Sequence, residues 1–131
     1  MPNNGLVSIR SARSVTDALA AVEAALSEKG LMIFARIDHA AGAAEAGMPL
    51  RPTILIIFGN PRAGTPLMQA KQTVGIDLPL KLLVWEDEEG AVWLTYNDPT
   101  WLVRRHKIGA DAGPAVDAMG ALLAAIARSA M

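Results

Sequence analysis

Two short stretches hold residue types that could do chemistry. Gly59-Asn60-Pro61-Arg62-Ala63-Gly64-Thr65-Pro66 gathers an amide, a guanidinium and a hydroxyl around two glycines. The glycine spacing is that of a phosphate-binding loop, G-x-x-x-x-G. Thr65, however, stands where that loop needs its lysine, and Pro66 where it needs the magnesium-binding hydroxyl. Pro61 and Pro66 also remove two backbone N–H donors from the cradle. These departures argue against nucleotide hydrolysis. What survives is a simpler anion site, with N–H groups near Gly64 and Thr65 at a helix start and the Arg62 guanidinium beside them. The plainer alternative is a tight connection between a strand and a helix.

Asp38-His39 is the second stretch, and it too follows an apolar run. If the two strands are neighbours, their polar ends converge at one rim. His39 there could hydrogen-bond a ligand or move a proton, since an unperturbed imidazole titrates near pH ~6.5. The plainer role is Asp38 capping a helix. The candidate ligand-binding set is therefore Asp38, His39, Asn60, Arg62, Gly64 and Thr65. In it Arg62 anchors an anionic group, Asn60 orients it and His39 hydrogen-bonds it. An enzyme on the same rim would use His39 as general acid or base with Asp38 orienting the ring.

Other chemistries find little support. The chain has no cysteine, which removes disulfides, thiolate metal sites and a cysteine nucleophile together. His39 and His106 share no local metal-binding spacing, so neither a metal nor a cofactor is expected. The acidic run Glu86 to Glu89 lacks the alternating ligands of a calcium loop. No serine sits in a G-x-S-x-G elbow. A net charge of -1 with dispersed Lys and Arg, and only 5% aromatic residues, speaks against a nucleic-acid partner. No signal peptide is visible, and no apolar run approaches the ~20 residues of a membrane helix. The expectation is a soluble cytoplasmic protein with one domain over residues 1–131.

The elements that must position these residues can be read in order. Leu6 to Ile9 suits a first strand, and Ser14-Val15-Thr16-Asp17 a capped helix start. Val15, Leu19, Val22 and Leu26 repeat at helical spacing up to Gly30. Leu31 to Ile37 reads as strand 2, Ala40 to Ala46 as a short helix closed by Gly47, and Ile54 to Phe58 as a buried strand 3. Thr65-Pro66 reads as the start of the next helix, carried by Leu67, Met68, Ala70 and Val74 and ended at Gly75. Leu80 to Trp85 and Val92 to Tyr96 form a hairpin through a three-residue loop with Gly90 left-handed. That loop pairs Trp85 with Trp93, Val84 with Leu94 and Leu82 with Tyr96. Asp98-Pro99 opens a short helix through Trp101 and Arg105, and Pro114 starts a final one with Val116, Met119, Leu123 and Ile126 on one face. Its alanines and Gly120 would permit close approach of another backbone.

Several blocks, in this order, resemble the family catalogued as domain of unknown function 302 (DUF302). They are Ile37-Asp38-His39-Ala40-Ala41-Gly42-Ala43, Leu50-Arg51-Pro52-Thr53, Phe58-Gly59-Asn60-Pro61 and Gly64-Thr65-Pro66-Leu67-Met68. Asp77-Leu78-Pro79-Leu80, Val84-Trp85-Glu86-Asp87 and Tyr96-Asn97-Asp98-Pro99 continue the likeness. The resemblance implies an α+β fold and association as a homodimer, and supplies no activity. Its recurrent polar positions would be Asp38, His39, Arg51, Asn60, Gly64, Thr65, Asn97 and Asp98. The expected architecture is two-layered, with five strands, helices on one face and the order β-α-β-(short α)-β-α-β-β-α-α. The expected role is a small-ligand-binding or interaction module, the ligand being an anionic small molecule.

Overall fold

A computed structural model describes residues 4–131. The chain runs β1 (Leu6–Ser11), α1 (Val15–Glu28), β2 (Met32–Asp38), α2 (His39–Glu45), β3 (Thr53–Gly59), α3 (Pro61–Ala70), β4 (Leu80–Glu86), β5 (Val92–Asn97), α4 (Pro99–His106) and α5 (Gly113–Ser129). Short 3₁₀ turns at Gln72–Asp77 and Ala110–Ala112 precede β4 and α5. The strands form one antiparallel sheet in the order β1-β5-β4-β3-β2. The α+β class and the element order are those expected.

Alternation along the central strands decides which face is buried. Ile56 and Phe58 of β3, Leu80, Leu82 and Val84 of β4, and Leu94 of β5 point to one side, where they are almost fully buried. Val22 and Leu26 of α1 meet them there, with Leu123 and Ile126 of α5. Ser14 caps α1 by accepting from the Asp17 N–H at 3.1 Å. Ser11 donates to the Ala130 carbonyl at 2.6 Å, tying the end of β1 to the end of α5.

The hairpin follows its expected register: Trp85 faces Trp93, Val84 faces Leu94 and Leu82 faces Tyr96. Gly90 has φ +82°, and the Asp87 N–H donates to the Ala91 carbonyl at 2.8 Å. The two indole rings stack at 6.4 Å on the opposite face of the sheet. There Trp85 Nε1–H donates to Thr95 Oγ1 at 2.9 Å.

Two expectations need correction. By length and composition, Ala110–Ser129 is apolar enough to cross a membrane. In this fold α5 buries Val116, Met119, Leu123, Ile126 and Ala127 against its own chain. The second correction is α3, which begins at Pro61 rather than Pro66. Asn60 is its N-cap and Pro61 its first residue, where a missing N–H costs nothing. Pro66 therefore falls inside the helix and deprives the Arg62 carbonyl of its i+4 donor. The helix stops at Ala70, and Val74 belongs to the following 3₁₀ turn.

Candidate functional site

The early start of α3 builds a cavity where the sheet ends. Asn60 Oδ1 accepts the Arg62 N–H at 2.9 Å, and the Asn60 carbonyl accepts from Ala63 and Gly64. These bonds set the helix over the end of β3. Only Leu67 of α3 is buried, so the helix spans the core more than it fills it. On one side of it lies a cavity of about 270 Å³. Its wall includes Phe34 of β2, Met68 of α3, Leu78 and Pro79 of the approach to β4, and Met119 of α5. Asn60 and Thr65 supply its polar side chains. On the other side a second cavity of about 250 Å³ is lined by Leu31, Arg62, Pro66, Ala115 and Leu122. The two share Gly59, Asn60, Ala63, Leu80 and Met119.

Glycine sets the width of the larger cavity. A methyl on Gly64 would lie 3.6 Å from Leu78 Cδ1, and one on Gly75 would lie 3.4 Å from Met68 Sδ. A methyl on Gly59 would lie 3.6 Å from Phe34 Cε2. Each is an ordinary contact distance, so a side chain would fit at the expense of the space. No charged side chain lines this cavity; Arg62, exposed, lines its neighbour.

The six sequence candidates do not meet. β2 and β3 are neighbours but antiparallel, and Asp38 pairs with Ile54. Asn60 follows Gly59 at the other end of β3, about 20 Å away at ~3.3 Å per residue. Asp38 and His39 are thus separated from Asn60, Arg62, Gly64 and Thr65 by the length of the strand. Asp38 Oδ1 accepts the Ala41 N–H at 2.9 Å and caps α2. The expected grip of His39 and Asn60 on one molecule is overturned, and with it the shared rim on which both readings placed them. Gly64 and Thr65 are also not helix-start donors. They lie inside α3, and the Gly64 N–H already reaches the Asn60 carbonyl at 3.3 Å. Asn60, Gly64 and Thr65 do share the cavity wall, and Arg62 stands next to it.

A family model described as domain of unknown function DUF302 matches residues 7–126. The chain belongs to the DUF302 family. A crystal structure of an uncharacterised conserved DUF302 protein from Bacillus stearothermophilus superposes with a TM-score of 0.86 at 18% identity. That likeness covers 98% of this chain and 99% of the other, and it shows the fold. Among curated proteins, 117 residues are 51% identical to the fluoride-specific ion channel FluC 1 of Brucella suis biovar 1. The FluC 1 protein of Brucella abortus biovar 1 matches equally. Each match covers 89% of this chain but only 46% and 43% of those relatives, so the chain spans less than half their length.

Other polar positions of the DUF302 blocks have structural duties here. Asp98 Oδ1 accepts the Thr100 N–H at 3.0 Å and caps α4. Arg51 is exposed and lies 3.9 Å from Glu88.

Sequence reading missed the partners of His106. His106 is in the last turn of α4, but it is buried. Its Nε2–H donates to Asp77 Oδ2 at 2.5 Å, and Thr73 Oγ1 lies 3.2 Å from Nδ1. Arg105 also donates to Asp77, at 3.1 Å. Hydroxyl, imidazole and carboxylate in a row resemble a nucleophilic triad, yet none of the three lines a cavity described above. The cluster instead fastens α4 to the 3₁₀ turn that carries Gly75 into the cavity wall. Lys81 reinforces that turn by donating to the Asp77 and Pro79 carbonyls, at 3.2 and 2.8 Å. Burial lowers the pKa of its ammonium group, and the Asp77 carboxylate opposes that shift. No local pattern could have disclosed this cluster, because Asp77 and His106 come from separate elements.

Proposed function

We propose that this DUF302 domain binds a compact, mainly apolar small molecule carrying one anionic group. The observation that carries the reading is the pair of cavities at α3, which share Asn60 and Met119 in their walls, with Arg62 lining the second. A volume of about 270 Å³ lies just below the range of drug-sized sites, which fits a small ligand. The apolar body would lie among Phe34, Met68, Leu78 and Met119, where methionine can adapt to its shape. Thr65 and the Asn60 amide nitrogen would meet its polar end, and Arg62 its charge.

Calorimetry with octanoate and with octanol, a neutral analogue of equal chain length, tests this reading. Octanoate should bind more tightly than octanol, and Arg62→Gln should remove the difference while leaving the fold intact. Equal affinities in the wild type would contradict the anionic part. No binding of either probe would contradict the whole.

A second reading rests on the Brucella relatives: the domain serves as a soluble accessory to a fluoride channel. Its support is the 51% identity to a segment of polypeptides that carry that name. Deleting the matched segment from the Brucella suis protein should alter fluoride efflux from cells or its response to octanoate. Unchanged efflux with and without the probe would count against it.

A further inference from the structure

A ligand with its apolar body in the first cavity and its charge at Arg62 must touch both cavities. Phe34, Thr65, Met68 and Leu78 line the first and not the second, while Arg62 lines the second and not the first. Such a molecule has to pass the residues that the two share, which are Gly59, Asn60, Ala63, Leu80 and Met119. Gly59 and Ala63 are too small to block a passage. Asn60 is exposed, and its Oδ1 is committed to the Arg62 N–H. Two bulky buried side chains remain, Leu80 at 8% exposure and Met119 at 4%.

These two differ in freedom. Leu80 belongs to β4 and pairs with Phe58 of β3, so the sheet fixes its backbone. Its branched side chain keeps to a few staggered positions. Met119 comes from α5, and its unbranched side chain has three rotatable bonds. Its neighbours along that helix are mostly small. Ala115, Ala118, Met119 and Leu122 recur at the three- and four-residue spacing of one helical face, and all four line the second cavity. The two alanines leave that cavity its room on the α5 side. Of the described residues of α5, Met119 alone also lines the first cavity.

We propose that Met119 determines which ligands the site accepts: its side chain divides the two cavities and swings aside to let one chain run through both. This rests on the ligand reading above and adds a limit on the ligand's length. With Met119 present, its bulk occupies room that a longer chain would need, and a medium-length carboxylate is favoured. Truncating it leaves spaces of about 270 and 250 Å³ open to each other, which suits a longer one.

Calorimetry with octanoate and dodecanoate on the wild type, Met119→Ala and Met119→Leu tests the proposal. Met119→Ala should raise the affinity for dodecanoate relative to octanoate about 10-fold over the wild-type ratio, the effect of two further methylenes leaving water. Met119→Leu conserves volume and should keep the wild-type ratio. An unchanged ratio in Met119→Ala, or an equal rise in Met119→Leu, would overturn the proposal and leave the ligand reading standing. Binding of neither acid by the wild type would overturn both. If Met119→Ala folds poorly, the wild type decides the matter. Isotope-labelled octanoate should then give nuclear Overhauser contacts to the methyls of Leu78, from the first cavity, and of Leu122, from the second, in one saturable complex. Contacts to only one of these leucines would overturn the proposal.

Discussion

The β4–β5 half of the sheet and the β2–α3 half are built to different standards of packing. Around β4 and β5 the apolar side chains interlock with α1 and α5, and Leu82, Val84 and Leu94 are sealed from water. Around β2 and α3 the same chain leaves an exposed edge strand, an unburied helix and a helix lying over two cavities. Composition does not explain the contrast, since β2 and β3 are as apolar as β4. The difference separates the region where burial stabilises the fold from the region where apolar surface is left unburied.

The largest expected effect tests the packed half. Leu82→Ala should lower unfolding free energy by about 2–5 kcal/mol, because Leu82 is fully buried and its neighbours can close the gap only in part. Urea denaturation would check it, and a loss under ~1 kcal/mol would mean the core is looser than described. Next comes the cap where the two halves meet. Asn60→Ala removes the cap of α3 and should cost about 1 kcal/mol. It should also weaken octanoate binding, which calorimetry can follow.

Gly64→Ala sharpens the comparison further because its two effects oppose each other. An added methyl inside α3 should stabilise the fold by about 0.5–1 kcal/mol. The same methyl narrows the cavity against Leu78, so ligand affinity should fall. Thermal melts and calorimetry on one variant would show both effects, and a variant that loses stability would refute the helical placement of Gly64.

The smallest effect concerns acid. Hydrogen bonds from Trp93 Nε1–H and from the Ala91 and Glu89 N–H groups hold the Asp87 carboxyl below its ordinary pKa of 3.8. A carboxyl depressed by folding contributes stability that is complete above its unfolded pKa and vanishes as pH falls through the folded one. Asp87→Asn should therefore flatten the fall in stability below about pH 4. An unchanged acid profile would assign the effect to other carboxylates.

Much of the packed half could be read from the chain. Alternation in β4 and β5, Gly90 in the turn and the Val15-to-Leu26 stripe each state their environment locally. The under-packed half was legible only in its pieces. Asp38 and Asn60 both have the look of strand-end polar residues, and only antiparallel pairing reveals that they sit at opposite ends. Pro66 suggested a helix start because proline rarely sits inside a helix. Here the Asn60 cap and Pro61 begin the helix five residues earlier, and the interior proline is tolerated. Phe34, Leu78 and Met119 gave no warning as cavity residues, since an apolar side chain facing a void has the same sequence as one facing a neighbour. The Asp77–His106 pair depends on two elements meeting, which no spacing rule encodes.

Methyl NMR on methionine tests the binding claim most directly. Met68 and Met119 line the cavity beside α3, whereas Met48 and Met131 are exposed away from it. Octanoate titrated into the protein should shift the Met68 and Met119 methyl signals together and saturably, leaving those of Met48 and Met131 in place. Shifts at Met48 and Met131 alone, or no saturable shift at Met68 and Met119, would contradict a ligand site beneath α3.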